Sequence, residues 1–564
     1  MAEAHVYKMP YLTATSLKAL TSYGKNLIEY GNNFAGVRQR MDIIDEAYAR
    51  YTLGIYGQNT SGLNARDGKD SVAGQSCDIM NQIVSPIVVS QVDTLHAYLC
   101  DTYLSGYPIF PVASTYNDRA QAETIEAVID DHATVDRYAR QIKLALLDSV
   151  KYNFTAIETS WAPVYSSEVS FDATAVAEES TRKTKRDYQH INRLKRINTR
   201  NAFWDTVVLP CDIAASGEFF GFSERLTRIE LIRYMQYLHN EGLTNQALKK
   251  NALGSSYQQM LWNEDPIINS YLQETAGPKG VNWSDFWDDT EGLKRNIRLP
   301  RNGENLYVKT KIYCRIVPSE FHLTVPYREN VQIWCLEFVN GDHLISARPY
   351  NSPNDEFPVA VGQAIEDGIG LQTQSPAEKN VALQEMVSFL MRARISGTRR
   401  TLGDRAIYDP EVIHPDDINN PSATSKIPAR AVGLLNRDIR TAYYQIPFEN
   451  QSTLGAVQDA MMLTQYSKEL DGTNNATNGQ FQKGNKSVQE FSTVMSNAEN
   501  RMRLLALTLE LSLFMPIKAI LKYNLLSYGQ DTAVTSPKTG KKFQISMQQI
   551  IEAGFAFEIA DGYT

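Results

Sequence analysis

Residues 472–486, GTNNATNGQFQKGNK, constrain the fold of this chain most: fifteen residues with almost nothing apolar, set between two strongly patterned helical stretches. A structureless span of that length inside a folded protein is either functional or a disordered insertion. The flanks favour a positioned loop. Upstream, STLGAVQDAMMLTQYSKEL predicts a helix within 448–471. Downstream, Ser487 and Glu490 form a capping-box pattern that opens a long helix with apolar positions Val488, Phe491, Val494, Met495, Ala498, Met502, Leu505 and Leu509. Pro516 falls well inside that helix and predicts a bend near Met515, because proline removes one backbone hydrogen bond and crowds the preceding turn.

A second helix precedes this assembly. Ser375 as cap, Pro376 at the first helical position and Glu378 three residues after the cap open it, Gly397 closes it, and Leu383, Met386, Val387, Leu390 and Met391 form its apolar stripe. From Thr398 to Pro447 the chain is turn-rich; four prolines in YDPEVIHPDDINNPSATSKIPARAVGLL exclude a long helix.

The first 153 residues read as mostly helical, with VRQRMDIIDEAYARY and TVDRYARQIKLALLDSVKY spaced three and four apart in their apolar positions. FTAIETSWAPVY and HINRLKRINTRNAFWD then read as strands, ending in a turn at LPCD. A strand leads into a helix at GEFFGFSERLTRIELIRYM, and residues 228–295 look helical. LYVKTKIYCRIV and VQIWCLEFVNGDHLISARPY form a second β region, with Asn340-Gly341 as a hairpin turn. The chain closes on short strands around a short helix. The whole predicts an α+β, mostly helical protein.

A chain of 564 residues, 43% hydrophobic, buries several cores and predicts three or more sub-domains. Its five cysteines include no CxxC pair, which supports neither a disulfide framework nor a zinc site. The amino terminus lacks a secretory pattern, and the longest apolar stretch, LLALTLELSLFMPIKAIL, contains Glu510 and Lys518, so no membrane span is expected. A formal net charge of -8 argues against a surface that grips nucleic acid throughout.

Candidate catalytic groups are sparse. Asp130, Asp131, His132 and Asp136 are close in sequence, but consecutive Asp residues diverge on a helix and no metal motif accompanies them, so a solvated helix junction is expected. His414, Asp416 and Asp417 lie where Asp and Asn are simply good turn formers, although an exposed acidic loop also suits a basic partner. No phosphate-binding glycine motif occurs. The run Arg182, Lys183, Lys185, Arg186, Arg193, Lys195, Arg196 and Arg200 reads as a hairpin with a solvated charged face or a subunit contact, with a nucleic-acid strip as the sharper alternative.

The order of these parts resembles the portal (head-to-tail connector) proteins of tailed double-stranded DNA bacteriophages, of the short-tailed, podovirus-like type. YNFTAIETSW, INTRNAFWDTVV followed by GFSERLTRIELI, EDGIGLQTQSPAEKNVALQEMV and GNKSVQEFSTVMSNAENRMRLLALTLE carry the likeness, which runs from about residue 70 to the end. It implies an α/β wing over 1–374, a first stem helix over 375–397, a small β-containing clip over 398–447 and a second stem helix over 448–471. The tunnel loop would be 472–486, the long proline-kinked helix 487–529 and the closing wing strands 530–564. The crown that follows in many such proteins is absent, short or not included.

The resemblance further implies a non-enzymatic subunit of a ring, expected to be a homododecamer, at one capsid vertex of a virion assembled in the host cytoplasm. Double-stranded DNA would pass through it, the terminase large subunit and later adaptor and tail proteins would dock on the clip, and major capsid and scaffolding proteins would surround it. No cofactor, metal or membrane is implied. Asn474, Asn475, Asn478, Gln480, Gln482, Lys483 and Lys486 would face the channel, while Asp409, Glu411, His414, Asp416 and Asp417 would meet clip partners. Neutral Asn and Gln offer DNA hydrogen bonds without a large counterion-release term, and glycine lets such a loop shift as the duplex advances. A metal-dependent nucleic-acid-processing enzyme built on the Asp130 cluster, and another ring-forming virion protein, are the rival readings.

Overall fold

The computed structural model describes residues 12–57, 84–114, 119–171, 182–238, 306–366, 374–409, 443–445, 455–473, 501–529, 532–535, 542–546 and 557–559, apart from positions 107, 228–229, 232, 235–236, 340, 342, 353–354 and 403–405. The described elements are a mixture of helix and antiparallel strand. They fall into two compact units, one of residues 1–46, 89–379 and 472–564, the other of residues 47–88 and 380–471.

The first unit is built on a five-stranded antiparallel meander, β4 (Ala202–Trp204), β5 (Phe219–Thr227), β6 (Leu306–Ile316), β7 (Gln332–Val339) and β8 (His343–Pro349), in that spatial order. β7 and β8 join through Gly341 at φ +74°, the turn expected from Asn340-Gly341. Side chains alternate across a strand, and both faces of this sheet are buried, which is why QIWCLEFV reads as a continuous apolar run. On one face Phe203, Ile312, Trp334, Leu336 and Phe338 meet helix α1 (Ala14–Asn32). On the other, Trp204, Phe220, Tyr313 and Cys335 meet Phe154 and, from a three-stranded sheet, Ala156, Val359 and Val361.

Two glycines let α1 lie close to the meander. A Cβ at Gly24 would come within 2.1 Å of the Phe338 ring, and one at Gly31 within 2.5 Å of Phe203, whose far side is closed by Gly221. The second sheet has the order β3-β2-β9, from β2 (Thr155–Phe171), β3 (Arg182–Ile197) and β9 (Val359–Gly362). The expected hairpin is present as an unbroken register from Ala156↔Ile197 to Phe171↔Arg182. Further helices pack against it: α4 (Arg119–Val135), α5 (Tyr138–Tyr152) and α8 (Arg501–Tyr528), which follow α2 (Ala35–Gly57) and α3 (Ile87–Leu104) in the chain. The Tyr138 hydroxyl donates to Asn192 O at 2.6 Å, and Asn192 Nδ2 donates to Leu521 O at 3.2 Å. Strand β1 (Val112–Ser114) pairs with β14 (Phe557–Ile559), and β12 (Thr532–Thr535) pairs with β13 (Lys542–Ile545).

Helix α6 (Pro376–Leu402) starts as expected, with Ser375 Oγ accepting from Glu378 N at 2.9 Å. It does not close on Gly397 but continues to Leu402, so the turn-rich block begins later than Thr398. One glycine inside a helix costs only about 1 kcal/mol, and TRRTL after it contains no breaker before Gly403. In the second unit α6 packs on α7 (Ala456–Asp471), with Val387 and Leu390 against Ala460 and Leu463. Strands β10 (Ala406–Tyr408) and β11 (Tyr443–Gln445) pair and bracket the intervening residues.

The expected stripe on α6 holds at Val387 and Leu390 and fails at Met386 and Met391. Met386 and Met391 are exposed, as is Phe389, whereas Asn380, Gln384 and Ser388 are buried beside Val387. Neighbouring backbone explains the rotation. Gln384 accepts from Val88 N and donates to Ala47 O, both at 2.9 Å, and Ser388 Oγ accepts from Ser85 N at 3.0 Å. The unpartnered N–H groups at a helix start need such acceptors.

In α8 the proline is absorbed by a π-helical turn, Glu510–Phe514, just before it, with Met515 N donating to Glu510 O five residues back. Ser512, whose carbonyl loses its partner because Pro516 has no N–H, lies in that turn. The helix is long and apolar enough to cross a membrane by composition, and two of its charges pair with each other, Lys518 Nζ to Glu510 Oε1 at 2.6 Å, both largely buried.

Candidate functional site

The predicted channel residues Asn474, Asn475, Asn478, Gln480, Gln482, Lys483 and Lys486 lie outside the described residues, and the structure defines where the loop leaves the fold. In the second unit, Asn380 of α6 holds the end of α7, donating from Nδ2 to Asp471 and accepting from Ser467 Oγ at 2.5 Å. In the first unit, Gly472 adopts φ +72° with Arg501 packed on it, so that a Cβ there would fall 2.8 Å from Arg501 Cδ. Thr473 is buried and donates from Oγ1 to Gln91 Oε1 at 2.5 Å. The loop entry is therefore a left-handed glycine followed by a buried, hydrogen-bonded threonine, which fixes chain direction up to Asn474.

Of the predicted clip residues, Asp409 is half-buried directly after β10; Glu411, His414, Asp416 and Asp417 lie outside the described residues. Pro516 lies in α8 as described.

The Asp130 cluster is a helix junction between α4 and α5, but it is not solvated: Asp130 is 5% and His132 3% exposed. Helix α4 turns His132 toward the β2–β3 sheet, where its ring meets Trp161 edge-on at 5.8 Å. Burial drops the His132 imidazole to about 4, and burial with Asp130 beside it raises the Asp131 carboxyl. Asp136 accepts from Arg193 Nε at 3.0 Å and from Leu194 N at 2.9 Å. Among the described residues no group of three His, Cys, Asp or Glu side chains is placed to hold a metal ion.

The inner half of the basic run is spent on ion pairs within the chain. Arg193 pairs with Asp136, Lys195 with Glu224, Arg196 with Asp148 through two bonds of 2.5 and 2.7 Å, and Arg200 with Asp42 and Asp45. Arg182, Lys183, Lys185 and Arg186 occupy the outer register positions of β3, opposite Phe171, Ser170, Glu168 and Ser167.

Two features were missed in the sequence. One is an ionic seam between the two sheets. Glu158 accepts from Lys311 and from the Tyr313 hydroxyl at 2.7 Å, Lys309 lies 3.3 Å from Glu224, and Glu337 accepts from Arg348 at 2.9 Å and Tyr234 at 2.5 Å. Burial pushes the Glu158 carboxyl up, but Lys311 and Lys195 with these hydrogen bonds hold it at about 2. Burial pulls Lys309 below the ordinary lysine range. Strand alternation in LYVKTKIYC carries no sign that its lysines point inward.

The other missed feature is the apolar surface of the second unit. Phe389 is 68% and Met462 71% exposed, and Met386, Met461 and Tyr466 are exposed with them. Here a signal was present: Met461 and Met462 are adjacent, and neighbours on a helix cannot both face one core. Known protein families include none that matches this chain, and no characterised protein matches it in sequence.

Proposed function

We propose that this chain is the subunit of a phage portal: a ring-shaped channel at one capsid vertex through which double-stranded DNA is packaged by a terminase motor and later leaves. The observation that carries the reading is the α6–α7 pair of the second unit. Its helices share a narrow seam at Val387, Leu390, Ala460 and Leu463, while Met386, Phe389, Met461, Met462 and Tyr466 remain exposed. Contiguous exposed apolar surface marks an interaction site. Two such faces on one helical hairpin suit a head-to-tail contact between identical copies, which closes into a ring.

The division into units supports the same reading, because residues 380–471 of the second unit take in most of the proposed stem helices and the clip between them. The neutral loop that follows is anchored by Gly472 and Thr473 and supplies weak, sequence-independent contact for a passing duplex. A chain of net charge -8, repeated around a ring, repels DNA and keeps it sliding. Light scattering on the purified full chain tests the reading: particles of many times 63.5 kDa are expected, and a monomer of 63.5 kDa at micromolar concentration would contradict it.

A further inference from the structure

The loop joining β6 to β7, residues 317–331, is ordered by its own hydrogen bonds. Leu323 N donates to Pro318 O and Ser319 N to Arg328 O, both at 3.0 Å, while Gln332 Nε2 donates to Pro326 O at 2.8 Å and Tyr327 O at 3.2 Å. Ser16 Oγ of α1 donates to His322 O at 2.7 Å. Together these bonds hold two non-glycine residues, His322 and Tyr327, at φ +55°, in a region that side chains disfavour. The strained tyrosine is not used for packing, since it is 81% exposed, and Val331 beside it is exposed as well. A backbone outlier that serves no packing in the fold points to a surface role.

Strand register brings other loops to the same end of the meander. Trp204 pairs with Phe220, Phe219 with Cys314, Ile316 with Gln332, and Trp334 with Pro349, so residues 205–209, 317–331, 350–352 and 355–357 all emerge there. Val207 is 87% exposed among them. The surrounding charge is acidic. Glu218, Glu320, Glu329 and Asp355 are exposed. Arg315 turns inward onto the carbonyl oxygens of Ala214, Ala215 and Asp355 at 2.8–2.9 Å, and Arg328 pairs with Glu329 at 3.2 Å.

We propose that this end of the five-stranded sheet is a docking site for a segment of another protein that carries Lys or Arg side chains around an apolar residue. Tyr327, Val331 and Val207 provide the apolar footing, and the carboxylates of Glu218, Glu320 and Asp355, with Glu329 shared with Arg328, select the charge of the occupant. Nucleic acid is repelled by the same carboxylates. A second copy of a chain with net charge -8 is disfavoured by them too. The proposal stands whether or not the chain forms a ring.

The test is fluorescence anisotropy on the full chain with two labelled peptides, Leu-Trp flanked by lysines and Leu-Trp flanked by glutamates. Wild type binds the lysine peptide and not the glutamate one. Tyr327→Gly, which relieves the left-handed strain while deleting the ring, melts at or above the wild-type temperature yet binds the lysine peptide at least tenfold more weakly. Glu320→Gln with Glu329→Gln also weakens binding severalfold and leaves melting unchanged. Wild type that fails to bind the lysine peptide, or variants that bind it as wild type does, overturn the proposal. So does a change in the chain's own sedimentation in place of a change in peptide binding, which would assign the surface to a second copy.

Discussion

Lys311→Met perturbs the seam between the two sheets at its most buried pair. Glu158 and Lys311 are both buried, and without the Lys311 ammonium the carboxylate keeps the Tyr313 hydroxyl bond and the weaker pull of the Lys195 charge. Leaving one member of a buried pair uncompensated costs about 3–5 kcal/mol, so the variant unfolds at markedly lower urea at pH 7. The pH dependence carries a sign. In wild type the carboxyl sits at about 2, below its ordinary 4.5, so its contribution is complete above pH 4.5 and lost as pH falls toward 2. In Lys311→Met burial dominates and the folded carboxyl takes up a proton more readily than the unfolded one. The deficit against wild type therefore shrinks between pH 7 and pH 4. Glu158→Gln with Lys311→Met removes both charges, keeps an acceptor for Tyr313, and recovers at least half of the loss. Urea titrations at fixed protein concentration measure all of this. A Lys311→Met chain within about 1 kcal/mol of wild type at pH 7, or a deficit that does not change with pH, would refute the reasoning.

Other outcomes follow from single positions. Gly24→Ala gains about 1 kcal/mol of helix propensity but drives a methyl into the Phe338 ring, for a net loss of about 1–2 kcal/mol by denaturation, whereas Gly36→Ala, with nothing within 4 Å, is neutral or stabilising. His132 is held neutral, with its folded value at about 4 below the ordinary 6.5, so wild-type stability falls by about 3 kcal/mol as pH drops from 6.5 to 4. His132→Phe flattens that fall in a pH series of melts. Phe389→Asp with Met462→Asp leaves circular dichroism unchanged and abolishes assemblies larger than the monomer in sedimentation; full-sized assemblies would remove the stem interface.

Local chemistry was legible and tertiary chemistry was not. Asn340-Gly341 fixed a hairpin, and Ser375, Pro376 and Glu378 fixed a helix start, because each needs only neighbours along the chain. The buried side of α6 was misread because Gln384 and Ser388 answer backbone groups at Ala47, Ser85 and Val88, far away in sequence. The inward lysines of β6 were hidden for the same reason, since their partner carboxylates lie on other strands. For the loop, composition announced a neutral polar segment, but its anchors pair Thr473 with Gln91, and no periodicity links those positions. The Asp130 junction was located correctly yet assigned to solvent, since its packing against Trp161 depends on how the β2–β3 sheet meets α4.

Electron cryomicroscopy of the purified full chain tests the portal reading most directly. The account predicts a closed ring in which the segment after Thr473, with Asn475 and Gln480, borders the axial opening and α6 and α7 meet neighbouring copies through Phe389 and Met462. A map that shows separate protomers, or that buries Asn475 and Gln480 against their own protomer away from any symmetry axis, would contradict it.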